Sequence, residues 1–255
     1  MRPSLLPGLL SATRRNLDRG AAAVRLFEIG RRYLSAELGG GERPTLGLVL
    51  AGEKVPRRWA TGKAQVFDAY DVKAECHALL AEAGAPVDSL QTMGEAGAQF
   101  HPGQSATLRL GPKTVLARFG MLHPATARAF DLDGPVAMAE LYLDAIPARK
   151  AASFARPTYA PPALQAITRD FAFHVPVALA AADLVRAVRS SDKANIVAAR
   201  LFDDFRGAGV SEGQKSLAVE VTLQPGEKSY DDGELKAITE RIVAAAAKLG
   251  AGLRG

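Results

Sequence analysis

The chain has 255 residues, 48% of them hydrophobic, and a formal net charge of +5. That is enough apolar material for one large or two ordinary cores, while no apolar run approaches the ~20 residues that a membrane-spanning helix needs. One cysteine excludes an internal disulfide, which is simplest in a cytosolic protein.

The opening MRPSLLPGLLSATRR is too short and too broken by proline to read as a signal peptide. A helix follows over residues 9–17, then strands over 24–33 and 45–51, with a hairpin-like glycine loop at Gly39 to Gly41 between them. Next come a helix over 68–83, strands over 106–110 and 115–120, a helix after His123 and a strand over 136–143. The stretch ARKAASFARPTYAPPALQ breaks both periodicities with three prolines. It divides the chain into residues 1–151, a linker over 152–161, and residues 162–255.

After the linker the order is strand, helix, strand, strand, helix, strand, a split βαβ sandwich. Side chains alternate across a pleated strand, so in ITRDFAFHV the residues Phe171, Phe173 and Val175 share one side and Asp170, Ala172 and His174 the other. Leu217, Val219 and Val221 likewise alternate with Ser216, Ala218 and Glu220. Two helices can cover the apolar side: 180–190, with Leu184, Val185 and Val188 on one stripe, and 231–249, with Leu235, Ile238, Ile242 and Ala246 at helical spacing. Ser229 and Asp232 suggest a capping box for the second. The tail LGAGLRG supplies the fourth strand. Between them, NIVAARLFDDFRG does not alternate cleanly, which predicts a bulge or an early strand end. If Phe202 packs inward, Asp203 and Phe205 belong to the uncovered side; otherwise Phe205 closes the end of the core. An uncovered sheet face of this kind is a common platform for single-stranded RNA.

Other chemistry is sparse. His77, His101, His123 and His174 have no spacing typical of zinc, and His101 and His123 precede prolines, at turns. Cys76 sits in a helical stretch and reads as a small apolar side chain. Gly207, Gly209 and Gly213 before Lys215 and Ser216 do not have P-loop spacing and precede a strand rather than a helix. Basic residues come in short clusters (Arg14, Arg15, Arg19; Arg31, Arg32; Arg57, Arg58) that read as solvated surface.

RDFAF, LFDDFRG and EGQKSLAVEVTLQ resemble the C-terminal anticodon-binding domain of the bacterial phenylalanyl-tRNA synthetase beta subunit, and MRPSLLPGLLSATRRNLDRGAAAVRLFEIGRRY, FHPGQSATLRLG and FGMLHP resemble the catalytic-like domain that precedes it. The resemblance implies an α+β chain: a partial class II synthetase-like antiparallel sheet, truncated at its start, followed by a ferredoxin-like, RRM-like βαββαβ sandwich. It also implies a carboxy-terminal fragment of a several-fold longer subunit. Class II synthetases hold ATP with an arginine on the motif 2 strand and another in a glycine-rich motif 3. VRLFEIGRRY carries Arg25 and Glu28 in a motif 2-like strand, but VAMAELYLDAIPAR lacks the motif 3 pattern, so no catalytic residue, cofactor or metal is expected in this chain. The resemblance further implies a parent enzyme that uses ATP and magnesium on its alpha subunit, with which the beta subunit forms an alpha2beta2 heterotetramer.

The family's anticodon contacts fall on Ala172, Asp203, Phe205 and Ser216. Here alanine leaves room for a base, phenylalanine stacks, and Asp203 and Ser216 can pair with base edges. Phe205 stands where the family often has tyrosine. Arg169, Arg206 and Lys215 are further candidates, as phosphate contacts. Two other readings are a structural module that binds protein through the open sheet and an amino-acid sensor.

Overall fold

A computed structural model describes residues 2–35, 41–94, 96–148, 158 and 160–254. The chain forms two compact units, Met1–Phe154 and Ala155–Gly255. Most of the expected linker, and Gly39 and Gly40 of the expected glycine loop, lie outside the described residues.

The first unit opens with α1, Leu6–Asp18, three residues earlier than periodicity predicts. Pro7 is tolerated there because the first turn has no intrahelical partner for its missing N–H. The start of α1 is tied down by a buried carboxylate: Glu140 is 4% exposed and accepts from Ser4 Oγ at 2.7 Å and the Leu5 N–H at 2.9 Å. Strands β1 (Ala23–Tyr33) and β2 (Glu42–Val55) form an unbroken antiparallel hairpin. After them come β3 (Gln65–Val66), α2 (Ala69–Glu82), β4 (Gln91–Met93), β5 (Phe100–Leu110), β6 (Thr114–Leu122), α3 (Pro124–Ala129) and β7 (Val136–Tyr142). The short β3 and β4 are too brief to show in the sequence pattern. The sheet runs β1-β2-β7-β6-β5-β4, with β3 on β2, and every pair is antiparallel.

Helices lie against both sides of this sheet. Leu46, Leu48, Leu50 and Phe119 pack with Val72, Cys76 and Leu80 of α2, and Val49, Ala51 and Met138 pack with Leu6, Leu9 and Leu10 of α1. That explains why β7 reads VAMAELY without alternation: all seven residues are buried. Cys76 is fully buried, and burial pushes its thiol up to about 12.

The second unit contains β8 (Ile167–Pro176), α4 (Ala181–Ser190), β9 (Ile196–Phe205), β10 (Gln214–Leu223), α5 (Asp232–Ala247) and β11 (Gly252–Leu253). Its antiparallel sheet runs β11-β8-β10-β9, the expected ferredoxin-like sandwich. Phe171, Phe173, Val175, Leu217, Val219 and Val221 share one core with Leu184 and Val188 of α4 and Ile238, Ile242 and Ala246 of α5. Both helices therefore cover the same side.

The cap of α5 differs from expectation. Asp231, not Ser229, holds the extended N-cap backbone; its carboxylate accepts from the Glu234 N–H at 2.8 Å, and Glu234 accepts from the Asp231 N–H at 3.1 Å. The helix starts at Asp232, so the acid three residues beyond its cap is Glu234. No helix among the described residues is long and apolar enough to cross a membrane.

Candidate nucleic-acid interface

The side of the second sheet away from α4 and α5 is built in rows set by strand register. Phe205 pairs with Ser216 and Ser216 with His174; in the next row Asp203 pairs with Ala218 and Ala218 with Ala172; then come Arg200, Glu220 and Asp170. The first two rows bring together Ala172, Asp203, Phe205 and Ser216, the four residues carried over from the family pattern.

The irregularity predicted in β9 is what allows this. Register slips between Ala218 and Val219, so that Asp203 faces Ala218 and Leu201 faces Val219 while Phe202 is left over. An extra residue in one strand reverses which side the following residues face. Phe202 does not pack inward; it is 53% exposed. Asp203 and Phe205 nevertheless share the open side with Ala218 and Ser216, and Phe205 is 40% exposed. The Phe205 ring lies against Gly207, where a Cβ would come within 2.8 Å of its Cζ. Any side chain there would push the ring off its seat, so Gly207 is part of how the aromatic is presented.

The small residues form the floor. Ala172 and Ala218 are partly exposed, and Ser216 is only 4% exposed, more covered than a residue free to meet a base edge. His174 is a residue the sequence pattern did not single out: its Nδ1 is buried and has no hydrogen-bond partner among the described residues. Period two had put His174 on this side; what sequence could not show is that its Nδ1 is buried without a partner among the described residues. The third row is already occupied. Arg200 donates to Glu220 at 2.7 and 3.3 Å, and that hydrogen bond holds the Glu220 carboxyl below its usual range.

The three basic candidates fare differently. Lys215 lies in register with Val175 and is 5% exposed, on the side of the core, so the expectation that phosphates reach it is corrected: parity turns it inward. Arg169 is exposed but pairs with Val221, which puts it too on the helix-covered side. Arg206 is exposed just beyond β9 and pairs with Asp204 at 3.3 Å.

In the first unit, the motif 2-like residues are committed to structural contacts. Arg25 lies over the Phe67 ring, 4.8 Å from its centroid, and Glu28 pairs with Arg2 at 2.6 Å. On β7, where a second nucleotide-binding arginine would be sought, every residue is buried and the acid is spent on α1. These residues do not fit an ATP site, and among the described residues no three His, Cys, Asp or Glu gather as a metal site. His101 and His123 serve local turns, their Nδ1 atoms accepting from the Gly103 and Ala125 N–H groups at 3.1 Å. His123 caps α3 as its following proline suggests, whereas His101 lies inside β5 at a register irregularity.

A family model described as the phenylalanyl tRNA synthetase beta chain CLM domain matches residues 1–143. The chain belongs to the phenylalanyl-tRNA synthetase beta chain family. A second model, the ferredoxin-fold anticodon binding domain, matches residues 162–254, the part that contains the open sheet. Similar relatives are the phenylalanine–tRNA ligase beta subunits of Novosphingobium aromaticivorans, 72% identical over 256 residues, Zymomonas mobilis, 55% over 254, and Brucella suis, 45% over 261. Each match takes in 100% of this chain and 32% of the relative, so the chain spans about a third of their length. It corresponds to the non-catalytic CLM and anticodon-binding domains of that beta chain.

Proposed function

We propose that the open face of β8, β10 and β9 holds the anticodon loop of phenylalanine tRNA. The observation that carries this reading is the juxtaposition of two rows, Phe205–Ser216–His174 and Asp203–Ala218–Ala172, inside the segment matched by the anticodon-binding model. Ala172 and Ala218 leave room for a base plane and Phe205 stacks on it, worth about 1–3 kcal/mol per base. Asp203 accepts from a base edge; as an anion it would repel phosphate, which favours base reading over backbone attraction. Ser216 and His174 add a small and largely covered floor, and Arg206 is the phosphate contact.

The first unit, residues 1–151 in this proposal, acts as a scaffold that packs on the catalytic alpha subunit of a cytoplasmic alpha2beta2 enzyme. Support comes from β1, an edge strand whose Phe27 and Ile29 are 69% and 65% exposed, a strip that asks for a protein cover. The parent reaction, joining phenylalanine to its tRNA with ATP and magnesium, belongs to the alpha subunit, and this chain alone should not aminoacylate.

The test is a titration of the chain with the phenylalanine tRNA anticodon stem-loop and with one of changed anticodon, at two salt concentrations, beside Phe205→Ala. Preference for the cognate loop, reduced by the substitution, supports the reading. Equal and strongly salt-sensitive binding to both loops, indifferent to Phe205, would leave only a basic surface.

A further inference from the structure

Between β2 and β3 the chain leaves the first sheet as a short arm. Every residue from 56 to 66 is exposed. The arm is not loose: the Arg58 N–H donates to the Gly62 carbonyl at 3.3 Å and the Gly62 N–H to the Arg58 carbonyl at 2.8 Å, closing a tight turn. Gly62 adopts φ +75°, a conformation other residues rarely hold. At the tip stands Trp59, 100% exposed and the only tryptophan in the chain. Arg57, Arg58 and Lys63 surround it, and together with Trp59, Gly62 and Ala64 they line an open hollow of about 840 Å³. None of the three cations is in an ion pair among the described residues, and residues 56–66 contain no acid at all. Of the acids at the base of the arm, Asp71 is taken by Lys54 and Asp68 by the N-terminus of α2, while Glu53 stands opposite Val66 on β2.

A large aromatic ring held in water on a closed turn is unusual, because such a ring buries 150–250 Å² wherever it finds a partner. The surrounding charge narrows what that partner is. A protein pocket that closed over the whole arm would have to supply an acid for each of three cations or strip them of water unpaired. Unpaired nucleotides offer the complement directly, a π-face for the indole and phosphates for the cations.

We infer that the 56–66 arm is a second RNA contact, in which Trp59 stacks on an unpaired base while Arg57, Arg58 and Lys63 hold flanking phosphates. It is independent of the open sheet face, and because Trp59 is the only tryptophan its emission reports on the arm alone, whichever way the anticodon titration falls.

The experiment follows Trp59 fluorescence of the intact chain as short single-stranded oligouridylate is added, with inorganic polyphosphate as a polyanion without bases. Oligouridylate should quench the emission to saturation and polyphosphate should not. The affinity read from anisotropy of labelled oligouridylate, in a Phe205→Ala background, should weaken about five- to 160-fold for Trp59→Ala and recover most of that in Trp59→Phe. The double change Arg57→Gln with Arg58→Gln should lower the slope of log affinity against log salt by about 1.4, at ~0.7 for each single-strand phosphate left without its cation. Because these side chains are exposed, unchanged far-ultraviolet circular dichroism establishes that each variant is folded. No quenching at high oligouridylate, equal quenching by polyphosphate, or emission that responds only to an added alpha subunit would overturn the inference, the last assigning the arm to a protein interface.

Discussion

In the first unit, β2 and β7 run between α1 on one side and α2 on the other, and even a charged residue such as Glu140 is drawn into holding a helix in place. In the second unit both helices share a side, and the residues opposite them, Ala172, Asp203 and Phe205, keep exposed or partly exposed surface. Strand chemistry is alike in the two sheets. What differs is how many sides the helices cover, and with it whether a strand residue is spent on stability or left for a partner. Phe173 and Phe205 put that contrast within one sheet: the first is 0% exposed against α4 and α5, the second 40% exposed on the open side.

The largest effect should come from the covered side. Phe173→Ala should cost about 3–5 kcal/mol of stability, read as an earlier urea unfolding midpoint. Glu140→Ala, which leaves the Leu5 N–H without its acceptor, should cost about 1–3 kcal/mol by the same measurement and act on the first unit. Phe205→Ala should invert the Phe173 result: little change in midpoint, but stem-loop binding weaker by about 1–3 kcal/mol. A large stability loss from Phe205→Ala would break the contrast. Asp231→Ala, which removes the cap of α5, should cost ~1 kcal/mol without changing any preference between loops.

Acid gives the smallest and most local effect. Burial pushes the Asp192 carboxyl up, but hydrogen bonds from Asn195 and Arg241 outweigh it and hold it below the usual carboxylate range. A carboxylate whose folded pKa is depressed contributes stability present above its unfolded value, near 3.9, and lost as pH falls through the lower folded value. Stability of the second unit should decline below about pH 4, and Asp192→Asn should remove part of that decline in unfolding curves recorded across this range.

The sandwich was legible in the sequence because its apolar residues alternate strictly on β8 and β10, and the missing alternation on β9 marked its bulge. The sequence could not say which way the strand resumed, since that depends on Phe202 being the residue left over. Lys215 shows the limit of reading charge as surface: one position from Ser216, it takes the parity of Leu217 and is buried. The α5 cap was misread by two residues because several acids and a serine crowd the turn, and only backbone geometry selects Asp231. Trp59 did not stand out because a basic cluster normally means solvated surface, and exposure of the ring beside it has no sequence signal.

The most direct measurement is of alanine methyl chemical shifts in the intact chain as the cognate anticodon stem-loop is added. Ala172 and Ala218 stand on the open rows, while Ala244 and Ala247 are exposed on α5. The Ala172 and Ala218 methyls should move to saturation and those of Ala244 and Ala247 should not. Movement confined to the helix methyls, or none at loop concentrations that saturate binding, would contradict binding on the open face.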